Sequence, residues 1–414
     1  MLGPIRPVAR QLSARLPVRG FSKTFYPRLF LARHTPRSLS LLQYPYQYRP
    51  TTTLAVPTDS KAVTSTLEIY QPPKTGILSY FPPSFVPYAE LVRLDKPTGT
   101  IYLFLPCLWS TLLASTLVDP AIAFPAVLST TLLFGAGALI MRGAGCAIND
   151  LWDRNIDPKV TRTKFRPIAR GAITPASALG FTATQLLAGL TVLVQFPMET
   201  IVYGIPSLVL VGSYPLMKRI THYPQFVLGL SFSWGALLGF PALGLSLSDP
   251  TVLAAAGLLY GSNVAWTVLY DTIYAHQDVA DDIKAGVKSI AVKHEPHTKY
   301  LMSALGVVQI GLLAGAGAVS GCGPIFYVIS CGGAAGGLGY MIRKVNLKDV
   351  KECWAWFKWC AWMVGGVAVG GGLFAEYLAV RTRVYGEDGW WGLGGRKERA
   401  LVISAQKGAV TKSG

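Results

Sequence analysis

Two acidic runs hold the residues whose types and spacing could do chemistry. The first reads Asn149-Asp150-Leu151-Trp152-Asp153-Arg154-Asn155-Ile156-Asp157. The second reads Asp271-Thr272-Ile273-Tyr274-Ala275-His276-Gln277-Asp278-Val279-Ala280-Asp281-Asp282. On a helix, Asn149, Asp153 and Asp157 fall four apart and share one side, as do Asp278 and Asp282. Hard oxygen donors at that spacing suit Mg²⁺, which takes one or two carboxylates, retains water and completes its shell with phosphate oxygens. Two such clusters could clamp a diphosphate from both sides and neutralise the charge that builds as it departs. One acidic run at a helix end is as often a plain solvated loop. Two on one face, each beside basic residues, argue for a site.

The elements that must position these runs follow from composition. Of 414 residues, 51% are hydrophobic and only 14% charged, whereas soluble domains carry about a quarter charged residues. Nine apolar segments approach the length needed to cross a hydrocarbon core about 30 Å thick. They lie at roughly 98–118, 121–147, 176–196, 200–218, 224–247, 251–274, 301–320, 324–342 and 355–380. Turn-like pairs such as Asp119-Pro120 and Asp249-Pro250 separate them. Frequent glycine lets membrane helices approach closely, and the alternation of an outward-facing β-barrel is absent. The expectation is an all-α, multi-span transmembrane bundle of about nine helices with a central cavity.

Charge then orients the bundle. Arg93 and Lys96 precede the first span, and six basic residues fall between Arg154 and Arg170. Lys218 and Arg219, residues 284–299 and residues 343–358 mark the other basic connections, while the alternate connections carry only Asp119, Glu199 and Asp249. This asymmetry puts the basic loops, and with them both acidic runs, on one face. The basic tail beyond Arg381 falls on the other side and is the one discordant feature. The net charge of +17 reflects topology, targeting and anionic ligands, because no basic groove with interleaved aromatics calls for nucleic acid. The six cysteines form no CxxC pair and read as buried, reduced thiols.

Residues 1–58 hold eight Arg and one Lys and no acid, the composition of a mitochondrial presequence. A Pro-rich connector follows over 59–88, then a membrane domain over 89–380 and a basic tail over 381–414. An inner mitochondrial membrane would put the basic face in the matrix. A transporter is the alternative from another class, but its acids should lie in mid-span, and here Glu376 is the main acid within a span.

The two acidic stretches resemble the aspartate-rich motifs of the UbiA superfamily of intramembrane prenyltransferases. Arg93-Leu94-Asp95-Lys96-Pro97-Thr98-Gly99-Thr100, Arg142-Gly143-Ala144-Gly145-Cys146, Arg162 to Gly171, Tyr214 to Arg219 and Trp234 to Gly239 agree with it. The likeness is strong over about 88–300. Val279-Ala280 departs from the ubiquinone-pathway branch that the chain otherwise resembles most, at positions where charged residues are more usual. The resemblance implies Mg²⁺ held by Asn149, Asp153 and Asp157 on one side and by Asp278 and Asp282 on the other. It implies a polyprenyl diphosphate donor met by Arg93, Lys96, Lys218 and Arg219, with membrane lipid around its tail. Arg142, two turns deeper than Asn149, would bind the diphosphate or the carboxylate of the acceptor, or pack against a partner acid. Asn263, Tyr270 and Tyr274 would line the acceptor pocket or simply pack; His276 reads as structural. The acceptor is 4-hydroxybenzoate or, in a secondary pathway, another phenolic acid.

Overall fold

The computed structural model describes residues 70–385 apart from 119–120, 161 and 286–287. The presequence-like arm, the first part of the connector and nearly all of the basic tail lie outside the described residues.

Pro97, Pro175, Pro224 and Pro250 stand at helix starts, where a missing N–H costs nothing. Thr174 and Asp249 add side-chain caps, accepting from Ser177 N–H and from Thr251 and Val252 N–H respectively. In chain order the helices are α1 (Val86–Leu91), α2 (Thr98–Thr116), α3 (Phe124–Trp152), α4 (Pro175–Leu193), α5 (Met198–Gly204), α6 (Ser207–Ile220), α7 (Pro224–Phe232) and α8 (Gly235–Ala242). They continue with α9 (Pro250–Ala275), α10 (Val279–Ala285), α11 (Ile290–His294), α12 (Thr298–Val319), α13 (Gly333–Lys344), α14 (Val350–Trp359) and α15 (Gly371–Tyr385). Wide π-type turns over Phe326–Gly332 lead into α13, and others over Cys360–Gly370 join α14 to α15. There is no strand among the described residues.

Among the described residues, seven helical stretches are long and apolar enough to cross a membrane. They coincide with seven of the nine expected spans. The other two, over 198–220 and 326–344, are also helical but composite. The first breaks between α5 and α6 at Ile205-Pro206, because Pro206 has no N–H to return and its ring displaces the carbonyl four residues back. The last passage outruns its expected end, since α15 reaches Tyr385.

The core sits where α9 packs on α7, α8 and α12 and where α2 packs on α3 and α8. A Cβ at Gly239 would overlap Ser110 and the Thr111 backbone, so this glycine sets the close approach of α8 to α2. Tyr102 and Tyr270 stack at 3.6 Å, Trp109 lies 4.9 Å from Trp266, and the Tyr102 hydroxyl donates to the Phe357 carbonyl. Outside this core, Leu132, Leu187, Val209 and Val307 are each more than 60% exposed, an apolar belt suited to hydrocarbon rather than water.

Candidate active site

The end of α3 and the loop behind it form an ion-pair network. Asp150, on the last turn of α3, is fully buried. Both of its oxygens accept from Arg93 Nη2, at 2.7 and 3.0 Å, and Arg166 Nη1 lies 3.1 Å from Oδ1. Arg166 also donates to both oxygens of Asp157, at 3.1 and 3.0 Å. Arg170 pairs with Glu90 at 2.6 Å and lies over the ring of Tyr70, whose hydroxyl donates to the same glutamate. Burial and then the bond to Glu90 push the Tyr70 hydroxyl up to about 12, so it remains a neutral donor. Arg93 takes a left-handed backbone, φ 59°, which costs about 1–3 kcal/mol in a non-glycine residue. Its bonds to Asp150 and to the Glu90 carbonyl hold it there.

These pairs redistribute the expected roles. Asn149 and Asp153 do share a face, with the Asn149 amide donating to the Asp153 carboxylate at 3.2 Å. Asp157 does not join them. α3 ends at Trp152, and a 3₁₀ turn over Asp157–Lys159 carries Asp157 into the protein, 4% exposed, against Arg166. Arg93 is spent on Asp150, whereas Lys96 is exposed beside Asp95. Asp150, Glu90, Arg162, Arg166 and Arg170 were not singled out by spacing. The signal was present, since the three arginines recur every fourth residue, but their acids lie in other segments.

The second motif caps α9. Asp278 sits in the turn beyond Ala275, and Asp282 lies one turn on in α10. Arg162, from the loop behind α3, donates through Nε and Nη2 to the two oxygens of Asp278, at 2.9 and 3.0 Å, and through Nη1 to the Tyr274 hydroxyl at 3.3 Å. One guanidinium from the loop that follows the first acidic motif therefore reaches the second. His276 is nearly buried and bonds Thr298; burial lowers its pKa, against a smaller opposing effect of Glu295.

Deeper in the bundle, Arg142 reaches the first turn of α2. A Cβ at Gly99 would lie 2.5 Å from its Nε, so Gly99 is the opening that lets the guanidinium in. Arg142 lies seven residues before Asn149 on α3, about 10 Å below it along the helix axis at 1.5 Å per residue. Tyr270 is 2% exposed within the aromatic stack, and Tyr274 lies 4.9 Å from Phe357. Asn263 is fully buried, and neither atom of its amide finds a partner among the described residues. It lies about 18 Å along α9 from Ala275 at 1.5 Å per residue. The side chains of Lys218 and Arg219, at the end of α6, lie outside the described residues. Beside Arg93 an apolar cleft of about 540 Å³ opens between α2, α3 and α4, lined by Ile101, Leu139 and Phe181 among others.

Among the described residues no three acidic, His or Cys side chains converge as a dedicated metal cage. The carboxylates at the mouth are hard oxygen donors of the kind that Mg²⁺ takes a few at a time together with substrate phosphate. Asp153, Asp278 and Asp282 are half-buried at the mouth, and Asp278 already meets one cation, the guanidinium of Arg162.

Fold and site together define a multi-pass helical membrane protein with a charged mouth over an apolar interior. The chain belongs to the UbiA prenyltransferase family, which it matches over residues 103–371, and so to the enzymes that move prenyl groups. It is 46% identical over 294 residues to a mitochondrial 4-hydroxybenzoate polyprenyltransferase of Schizosaccharomyces pombe, covering 71% of this chain and 81% of that one. A mitochondrial protein of the same name from Caenorhabditis elegans is 43% identical, with 74% and 83% covered. A UbiA homolog of Aeropyrum pernix K1 shares the fold, with a TM-score of 0.53 at 21% identity over 67% of this chain and 97% of that one.

Proposed function

We propose that the protein transfers a polyprenyl group from its diphosphate to the ring carbon ortho to the hydroxyl of 4-hydroxybenzoate, as a step of ubiquinone synthesis. What carries the acceptor is the identity of 43–46% to relatives of that name across most of both chains. The presequence-like arm and the mitochondrial relatives support an inner mitochondrial membrane, with the mouth facing the matrix.

Asn149, Asp153, Asp278 and Asp282 would hold Mg²⁺, which when bound would offset the negative charge of the leaving diphosphate. Asp157, saturated by Arg166, positions the loop instead. Arg162 and Lys96 present positive charge to the diphosphate, while the buried pairs of Arg93 and Arg166 keep the loop rigid, so that little reorganisation accompanies bond cleavage. Apolar walls beside Arg93 receive the donor tail and exclude water from the allylic cation. Arg142 takes the acceptor carboxylate from below and aims the electron-rich ring carbon at that cation. A mouth carboxylate or the departing diphosphate removes the ring proton.

The test is an assay of membranes carrying the full chain. Incubation with polyprenyl diphosphate and 4-hydroxybenzoate should give the ortho-prenylated acid with Mg²⁺ and none with excess EDTA. Prenylation of an orsellinic-type acid with 4-hydroxybenzoate untouched would move the chain to another pathway of the same family.

A further inference from the structure

Three arginines at four-residue spacing, Arg162, Arg166 and Arg170, each meet a carboxylate from another part of the structure or loop. Two of the pairs are closed. Arg166 has a side-chain exposure of 19% against carboxylates at 1% and 6%, and Arg170 and Glu90 are each at 13%. The third is open, with Arg162 at 46% and Asp278 at 25%. The open pair is also the one that touches a residue proposed as a metal ligand. A bidentate guanidinium engages both carboxylate oxygens, and a divalent cation needs at least one of those oxygens for itself.

We propose that Arg162 is a positioning residue that competes with the metal for Asp278 and yields the carboxylate when the donor diphosphate offers the guanidinium a second anion. This rests on the prenyl-donor reading above. A diphosphate carries more charge than a carboxylate and accepts the same paired hydrogen bonds, so the exchange favours the guanidinium's transfer. The backbone need not move. The loop is anchored by the Arg166 bonds to Asp157, by the Arg170 bond to Glu90 and by the Thr163 hydroxyl donating to the Asp157 carbonyl. Rotation of one half-exposed side chain completes the exchange. Its consequence is coupling: metal and donor each tighten the other, reciprocally, and the metal alone binds weakly.

The test is Mn²⁺ binding, read by electron paramagnetic resonance on the purified full-length chain, with and without the unreactive donor farnesyl thiodiphosphate. In the wild type the donor should tighten Mn²⁺ by about tenfold. Arg162→Gln should bind Mn²⁺ about tenfold more tightly than wild type without donor, bind the thiodiphosphate more weakly and show reduced coupling, with direct metal–phosphate contact supplying what is left. Against an Asp278→Asn background the same substitution should leave Mn²⁺ affinity unchanged, which separates competition at one carboxylate from a general change of field or folding. If Arg162→Gln leaves donor-free Mn²⁺ affinity unchanged or weaker while the wild type shows coupling, the competition is wrong and the prenyl-donor reading stands. If wild type shows no donor-linked Mn²⁺ binding at all, both fall.

Discussion

The two ends of the bundle satisfy their acids in different ways. At the mouth, Asp150, Asp157, Glu90 and Asp278 each meet an arginine. At the far end, Glu199 accepts from the Ser246 hydroxyl, Asp249 caps α9, and Glu376 accepts from Gly323 and Phe326 N–H, at 2.8 and 3.1 Å. There, too, Arg381 and Tyr377 donate to the carbonyls of Ala121 and Ile122. A carboxylate held by backbone amides leaves those N–H groups without a partner if it turns away, a cost that fixes it in place. One held by a half-exposed guanidinium can. A buried acid such as Glu376 therefore marks construction, and an acid shared with a reachable arginine marks the working end.

Within the mouth the same distinction runs by depth, and the largest expected effect tests it. Asp150→Ala strands Arg93 and leaves Arg166 with Asp157 alone, which should cost about 3–5 kcal/mol of stability, the usual penalty for breaking a buried ion pair. Denaturant titration of the purified chain measures it, and a loss under 1 kcal/mol would remove the distinction between buried and reachable pairs. Next come Asp153→Asn and Asp278→Asn. Each should lower turnover about a hundred- to a thousandfold, some 3–4 kcal/mol in the barrier, with unfolding little changed. Glu376→Ala should do the opposite, holding turnover per folded molecule while costing about 1–3 kcal/mol for each stranded amide. Turnover loss without instability in Glu376→Ala would break the comparison between the two ends.

Arg142 sharpens it from the acceptor side. If it takes the acceptor carboxylate, the methyl ester of 4-hydroxybenzoate should react about ten- to a hundredfold more slowly than the acid, worth 1.5–3 kcal/mol. Arg142→Leu should shrink that gap. Equal loss of both substrates would assign the guanidinium to the diphosphate or to packing against Gly99. The smallest effect concerns His276, whose pKa is lowered by burial below its ordinary 6.5. Its folded form is held neutral, so its share of stability is complete above about pH 6.5 and declines as pH falls, by at most about 1.4 kcal/mol per pH unit. His276→Gln should flatten stability below pH 6.5; an unchanged slope would assign the acid sensitivity elsewhere.

Much of this was legible in the residues. Hydropathy placed the seven long apolar helices, and the charge asymmetry put both acidic motifs on one face, because lipid demands long apolar helices and translocation disfavours basic loops. The i,i+4 spacing of Asn149 and Asp153 put them on one face, where the structure joins them by a hydrogen bond. Local spacing failed where a helix ended. Asp157 continues that period in sequence, but α3 stops at Trp152 and the chain turns inward. The break at Pro206 was also written locally and outweighed by a run of apolar residues.

What only the tertiary structure decided is which charges meet. Arg162 and Asp278 are 116 residues apart, and Arg93 and Asp150 are 57 apart. No periodicity links such residues. Their pairing depends on which helices become neighbours, and that follows from close approaches such as Gly239 on Ser110 and from the aromatic stack between α2 and α9. The types and number of charged groups at the mouth belong to the sequence, because solvation and hydrogen-bonding capacity are properties of each side chain. Whether a given acid is locked, shared or presented to a ligand belongs to the packing, because burial and partner geometry exist only once distant segments are brought together.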